Sequence, residues 1–220
     1  MAEAILIIMI LLMILTIFCL YKMYDKRGLY FSLVIINIIA FIFSFKVAEV
    51  LKLNINLGIV PFAGMMTILF MFILKYGIEE QKNLVKITLC SNIIIALLLI
   101  IMNYFVPATT ETISINMQGT FEYNYKILIV YPIITAISQI LSMKLFNIVN
   151  QIQTSIIISG ILTYIMTALL YTVVYTVLIY IKIMEVKYNL FIGISSYILG
   201  LIVMIINIMI LNTIYKKKVI

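Results

Sequence analysis

Thr135, Ser138, Gln139 and Ser142 recur at i, i+3, i+4 and i+7 within a run of mainly Ile, Leu and Ala. That spacing puts three hydroxyls and a carboxamide on one face of a helix. Such groups act by donating and accepting hydrogen bonds, without charge or covalent chemistry. Gln139 stands apart, because its amide has two donors and an oxygen with two lone pairs, which one neighbour rarely satisfies. A second series, Ser159, Thr163, Thr167, Tyr171 and Tyr175, follows one i+4 ridge, with Tyr164 beside it. Thr88, Ser91 and Asn92 repeat the i, i+3, i+4 spacing, and Ser196 and Asn207 lie either side of Gly200. Hydroxyls of this kind also serve at plain contacts between packed helices, bonding across or back to their own backbone. Both explanations hold for the ridge; Gln139 is the position most readily assigned to a ligand.

Reactive chemistry has little to work with. Histidine is absent, which removes the commonest general base and metal ligand. Cys19 and Cys90 fall inside apolar runs, where packing as small hydrophobes is expected rather than a disulfide or metal site. No nucleophile can be placed beside a base, so the chain is not expected to be an enzyme or to use a cofactor or metal.

The elements that carry these residues follow from hydropathy. With 65% hydrophobic and 10% charged residues, the chain has far more apolar surface than a water-soluble fold could hide. Seven stretches are each long enough to cross a hydrocarbon core about 30 Å thick as a helix. They are 4–20, 29–47, 57–74, 84–105, 127–145, 155–180 and 190–211. The fold expected is a single all-α domain, a polytopic transmembrane helix bundle of seven spans, with six as the alternative. The first run has only Glu3 before it and lacks the basic flank of a signal peptide, so it reads as a retained helix. Gly58, Pro61 and Gly64 predict that the third span starts bent or broken. The longest connection, 107–126, is expected as a small external cap or a mobile segment. Glu49, Glu79, Glu80, Glu111, Glu122 and Glu185 sit in connections or at their edges. No carboxylate is therefore expected at membrane depth, where an ion relay would need one.

The net charge of +7 raises the question of nucleic acid, but the basic residues form no patch with interleaved aromatics, and nucleic acid is not an expected partner. They mark topology instead. Lys22, Lys26, Arg27, Lys75, Lys82, Lys86, Lys144, Lys216, Lys217 and Lys218 share one side of a seven-span bundle. Lys46, Lys52, Lys126, Lys182 and Lys187 share the other. The richer side is expected to be cytoplasmic, which puts the N-terminus outside and the C-terminus inside the cell membrane; six spans would change the parity.

Several strings in this order and spacing resemble the VUT family of small integral membrane proteins, the YhhQ-like queuosine precursor transporters. They are YKMYDKRGLY (21–30), FKVAEVLKLNINLG (45–58), KYGIEEQKNLV (75–85), SQILSMKLF (138–146) and the lysine-ending last helix. The resemblance implies a six- or seven-helix carrier for deazapurine precursors of modified tRNA bases. It matches the family's Lys-Tyr-Gly to Lys75, Tyr76 and Gly77, its Ser-Gln to Ser138 and Gln139, and the following phenylalanine to Phe146. The chain is a divergent member on this reading. Phe70 and Leu74 stand where the family has an aspartate and a glutamate, and Ser142 stands for a later aspartate. Thr167 and Ala168 replace an Asp-Thr pair, and Gly200 and Asn207 replace a polar pair. The loss of charge implies either a pocket retuned to a neutral ligand or a member that no longer transports.

The function expected is transport of a small neutral nitrogen heterocycle through a cavity between the third, fifth, sixth and seventh spans. Gln139 would read a donor–acceptor edge, with Thr135, Ser138, Ser142, Thr163, Thr167 and Asn207 adding bonds. Tyr164 or Tyr171 would stack on the ring. Two rivals remain: a substrate-binding membrane subunit energised by a separate ATPase partner, and a non-transporting scaffold. Besides the lipid bilayer and the small-molecule substrate, a homo-oligomer is the other partner considered.

Overall fold

The computed structural model describes the backbone of residues 2–103, 112–152, 155–180 and 186–218, with side chains over 3–102, 126–152, 155–179 and 186–213. In chain order the elements are α1 (Ala2–Ser44), β1 (Val47–Val50), β2 (Leu53–Asn56), α2 (Ile59–Tyr76), a 3-10 turn (Ile78–Glu80), α3 (Gln81–Asn103), α4 (Thr112–Ile152), α5 (Ile156–Tyr180) and α6 (Val186–Lys218). All six α-helices contain a segment long and apolar enough to cross a membrane. The chain is an integral membrane protein built as an all-α bundle.

The first helix is two rods. At Asp25 the backbone leaves the helical region, with φ 49° and ψ −121°. A Cβ placed on Gly28 would lie 1.9 Å from the carbonyl oxygen of Leu20. In a straight helix residues eight apart are separated by about 12 Å along the axis, so the chain has turned back on itself. The rods 2–24 and 26–44 are each roughly 30 Å long. The first contains the predicted span 4–20; the second holds the predicted span 29–47 only as far as Ser44, since residues 45–47 lie beyond the helix. Gly28 is required there because two backbones meet where a side chain would otherwise stand.

Helix α2 is the central pillar. Every residue from Ile59 to Ile73 is buried, and it packs against α1, α4 and α6. Helix α5 closes the bundle between α4 and α6, and α3 lies against α1 and α4. The contacts of Ile59 with Gly200 and of Thr67 with Met204 run in the same order along both chains, so α2 and α6 are parallel.

Three expectations change. Pro61 neither bends nor breaks the third span: it stands in the first turn of a continuous α2, where the missing N–H has no helical partner to lose. The connection after the second span is a β-hairpin pairing Val47 with Asn56 and Val50 with Leu53. Its turn residues, Leu51 and Lys52, both have positive φ (53° and 61°). That is the handedness tight hairpins need, usually supplied by Asn-Gly. The stretch 112–126, expected as cap or mobile, is the beginning of α4; residues 107–111 lie outside the described residues.

Candidate functional site

The predicted polar residues are buried as expected, but they separate into two groups on opposite faces of α2. Gln139 of α4 reaches Met65, its Nε2 lying 3.0 Å from the sulfur. Thr67 donates to the sulfur of Met204 of α6 at 3.6 Å. Met65 and Thr67 are two residues apart, about 200° around the helix. No single face of α2 serves both groups.

The first group is a hydrogen-bonded seam joining the second rod of α1 to α3 and α4. Thr88 donates to Gln139 Oε1 at 2.6 Å, and Asn92 Nδ2 donates to Thr135 Oγ1 at 3.2 Å. Asn37 completes it, donating to Asn92 Oδ1 at 2.7 Å and to Ser91 Oγ at 3.0 Å. Ser142 donates to the carbonyl of Gln139. The carboxamide given the leading ligand role is thus held between a hydroxyl and a thioether and ties helices together. Asn37, which the sequence reading passed over, is the hub of this seam. An asparagine in the middle of a hydrophobic span was the signal that could have found it.

The second group lies where α5 and α6 meet, and its polar atoms are not satisfied. Helix α5 approaches α6 at Gly160, where an added Cβ would lie 2.4 Å from Ile208. Gly200 approaches just as closely to the hydroxyl of Tyr164. Ser159 next to Gly160, Tyr164 at the Gly200 contact and Asn207 next to Ile208 have buried side-chain polar atoms without a hydrogen-bond partner: Ser159 Oγ, Tyr164 Oη and both polar atoms of Asn207. Ser138 Oγ on α4 is buried and unpartnered too. Thr163 and Thr167 lie on the same ridge, donating to the carbonyls of Ser159 and Thr163 at 2.8 and 2.9 Å. Their protons are committed, so they can offer only acceptor lone pairs to anything that enters. Tyr171 stacks on Phe62 with ring centroids 3.9 Å apart, so one of its faces is already covered.

Unpartnered polar atoms are costly here. Each typically costs about 1–3 kcal/mol in a protein interior, and several in hydrocarbon. Ser138 of α4, Ser159 and Tyr164 of α5 and Asn207 of α6 each carry this cost. The buried polar side chains among the described residues are all neutral, so the interior offers hydrogen bonds but no charge.

A third polar group lies at the break in α1. Lys75 pairs with Asp25 and donates to the hydroxyl of Tyr21 at 2.8 Å. Lys26 pairs with Glu80 at 2.5 Å, and Tyr30 donates to the same carboxylate at 2.6 Å. Both lysines lie 5.3 Å from the ring centroid of Tyr76. This cluster fastens the turn of α1 to the α2–α3 junction, and it accounts structurally for Lys75 and Tyr76. Gly77 has φ 77°, a conformation suited to glycine, as α2 ends. No protein-family model, curated protein or solved structure matches the chain, so the resemblance to the VUT carriers rests on the short motifs alone.

Proposed function

We propose that this integral membrane protein carries a small, neutral, polar molecule, and that Asn207, Ser159 and Tyr164 recognise it at the α5–α6 contact. The observation that carries the reading is the Asn207 side chain, fully buried with neither its donor nor its acceptor engaged. A carboxamide presents a donor and an acceptor side by side, the complement of a lactam or amidine edge on a nitrogen heterocycle. Thr163 and Thr167 would accept hydrogen bonds from ring N–H groups, Ser138 would add a hydroxyl, and Tyr164 would contact the ring. The motif resemblance supplies the ligand class, deazapurine-like precursors of modified bases. Gln139, Thr135 and Ser142 act in this reading as the structural seam.

Uptake of labelled deazapurines by an auxotroph expressing the protein tests the proposal. Asn207→Leu is expected to abolish accumulation at normal protein level, and Gln139→Leu to preserve most of it. Equal accumulation with and without the protein would refute transport. The neutral interior also favours a second reading, in which a separate ATPase supplies the energy. An ATPase that co-purifies in mild detergent would support that version; a lone or self-associated carrier would oppose it.

A further inference from the structure

The β-hairpin is fastened to the bundle at both of its ends, and each fastening goes to a different helix. Tyr175 of α5 donates to the carbonyl of Ser44, where α1 ends, at 2.7 Å. The backbone N–H of Asn56, the last residue of β2, donates to Ser196 Oγ of α6 at 2.9 Å. The Asn56 side chain joins the two ends: its nitrogen donates to the Ser44 carbonyl and its oxygen accepts from the N–H of Gly58, both at 2.9 Å. The hairpin adds little stability of its own. Two strands alone are marginally stable, and the turn residues Leu51 and Lys52 sit at positive φ without glycine. Of its apolar side chains, only Val50 and Ile55 are fully buried.

At these fastenings lies a cavity of about 10 Å³, room for one water, lined by Asn56, Ile59, Tyr171, Thr172, Tyr175 and Ser196 among others. The fastening residues are among its walls, so releasing them enlarges it. A run of aromatic rings leads away from it. Tyr175 packs on Tyr171 with centroids 5.6 Å apart, Tyr171 on Phe62 at 3.9 Å, and Phe62 meets Tyr164 at 6.4 Å. Ile59 borders both ends of this run, because it lines the cavity and also contacts Gly200 beside the Tyr164 hydroxyl. We propose that the hairpin is a gate over the α5–α6 site. Its two ends staple α5 to α6. A solute enters when Ser44 and Asn56 part from Tyr175 and Ser196, and the cavity widens along the ring faces to Tyr164. Hydroxyls and ring faces along this route suit a planar molecule with hydrogen-bonding edges. The solute's identity rests on the carrier reading, whereas the opening is a property of the chain without ligand. Two ordinary hydrogen bonds keep such a gate mostly shut and still let it open unaided.

The experiment uses the full chain with Cys19 and Cys90 replaced by Ala, purified in mild detergent without ligand. Thr172→Cys puts a thiol in the cavity wall, and Thr67→Cys puts one on α2, buried against Met204. The rate of reaction with a small thiol reagent is measured for each. Thr172→Cys is expected to react slowly, and about ten-fold faster once Tyr175→Phe and Ser196→Ala remove both fastenings, the factor two ordinary hydrogen bonds supply. Thr67→Cys is expected to stay unreactive in both backgrounds. Equal rates at Thr172→Cys with and without the fastenings would overturn the gate. So would an equal acceleration at Thr67→Cys, the sign of general loosening. A second variant holds the gate shut. Asn56→Cys with Ser196→Cys, joined by a short bifunctional reagent that reduction cleaves, should lose deazapurine uptake and regain it on reduction. Uptake that ignores the cross-link would also overturn the proposal. Absence of uptake in every form, with the acceleration at Thr172→Cys present, would refute the carrier reading and support the gate.

Discussion

Asn207 and Gln139 carry the same functional group in opposite states of satisfaction. The Gln139 oxygen accepts from Thr88 and its nitrogen meets the Met65 sulfur, whereas both polar atoms of Asn207 are buried without partners. The two should therefore respond in opposite ways to removal of the amide. Gln139→Leu breaks a buried interhelical bond and is expected to destabilise the protein by about 1 kcal/mol. Asn207→Leu removes a group that is desolvated without compensation. It is expected to leave stability unchanged, or to raise it by up to about 2 kcal/mol, while ligand binding is lost. Denaturant unfolding in detergent, paired with uptake, measures both effects. If Asn207→Leu proves the more destabilising, Asn207 is a packing residue and the recognition reading fails. At Gly200, a methyl group would displace the Tyr164 hydroxyl and press on Ile59. Gly200→Ala should thus weaken ligand binding more than it weakens the fold, with the same two assays as the check.

Among the elements, α1 shows most plainly how one local feature redirects a whole segment. The reversal at Asp25 works because Gly28 lets the two rods meet at Leu20 and because Lys75 of α2 and Glu80 of the 3-10 turn hold Asp25 and Lys26. A Cβ on Gly28 would strike a backbone carbonyl, which cannot rotate away as a side chain can. Gly28→Ala is expected to cost about 1–3 kcal/mol, the range for overpacking a tight contact. Its lower melting temperature, set beside Gly64→Ala, makes the test, since the neighbour of Gly64 is the flexible Met13 side chain and that substitution should cost less. The hairpin gives the converse case. Leu51 and Lys52 hold positive φ without glycine, a conformation that costs roughly 1–2 kcal/mol per L-residue. Lys52→Gly should stabilise the protein by about 1 kcal/mol, read as a higher melting temperature.

For the whole molecule, the distribution of basic residues gives the expected orientation of the bundle. On our reading, the break in α1 faces the cytoplasm and the hairpin faces outward. In a chain with Cys19 and Cys90 replaced by Ala, a cysteine at Leu51 should react with an impermeant thiol reagent from outside intact cells, and one at Tyr24 only after permeabilisation. The reverse pattern would invert the topology. Hydropathy alone was enough to give an all-α bundle of membrane-length helices, because hydrocarbon offers the backbone no hydrogen bonds and so favours helix in stretches of that length and composition. The same periodicity showed which residues share a face, and it marked Ser138, Gln139, Thr163, Thr167 and Asn207 as the polar set to examine. It could not show how each helix is turned about its own axis or which neighbour it meets. That depends on packing around α2, and packing put Gln139 into a bonded seam with Asn37 nearby while leaving Asn207 and Ser159 unanswered. The hairpin and the hidden role of Pro61 belong to the same class. Leu-Lys is no turn signal, and a proline breaks a helix or begins one according to where the chain before it is held.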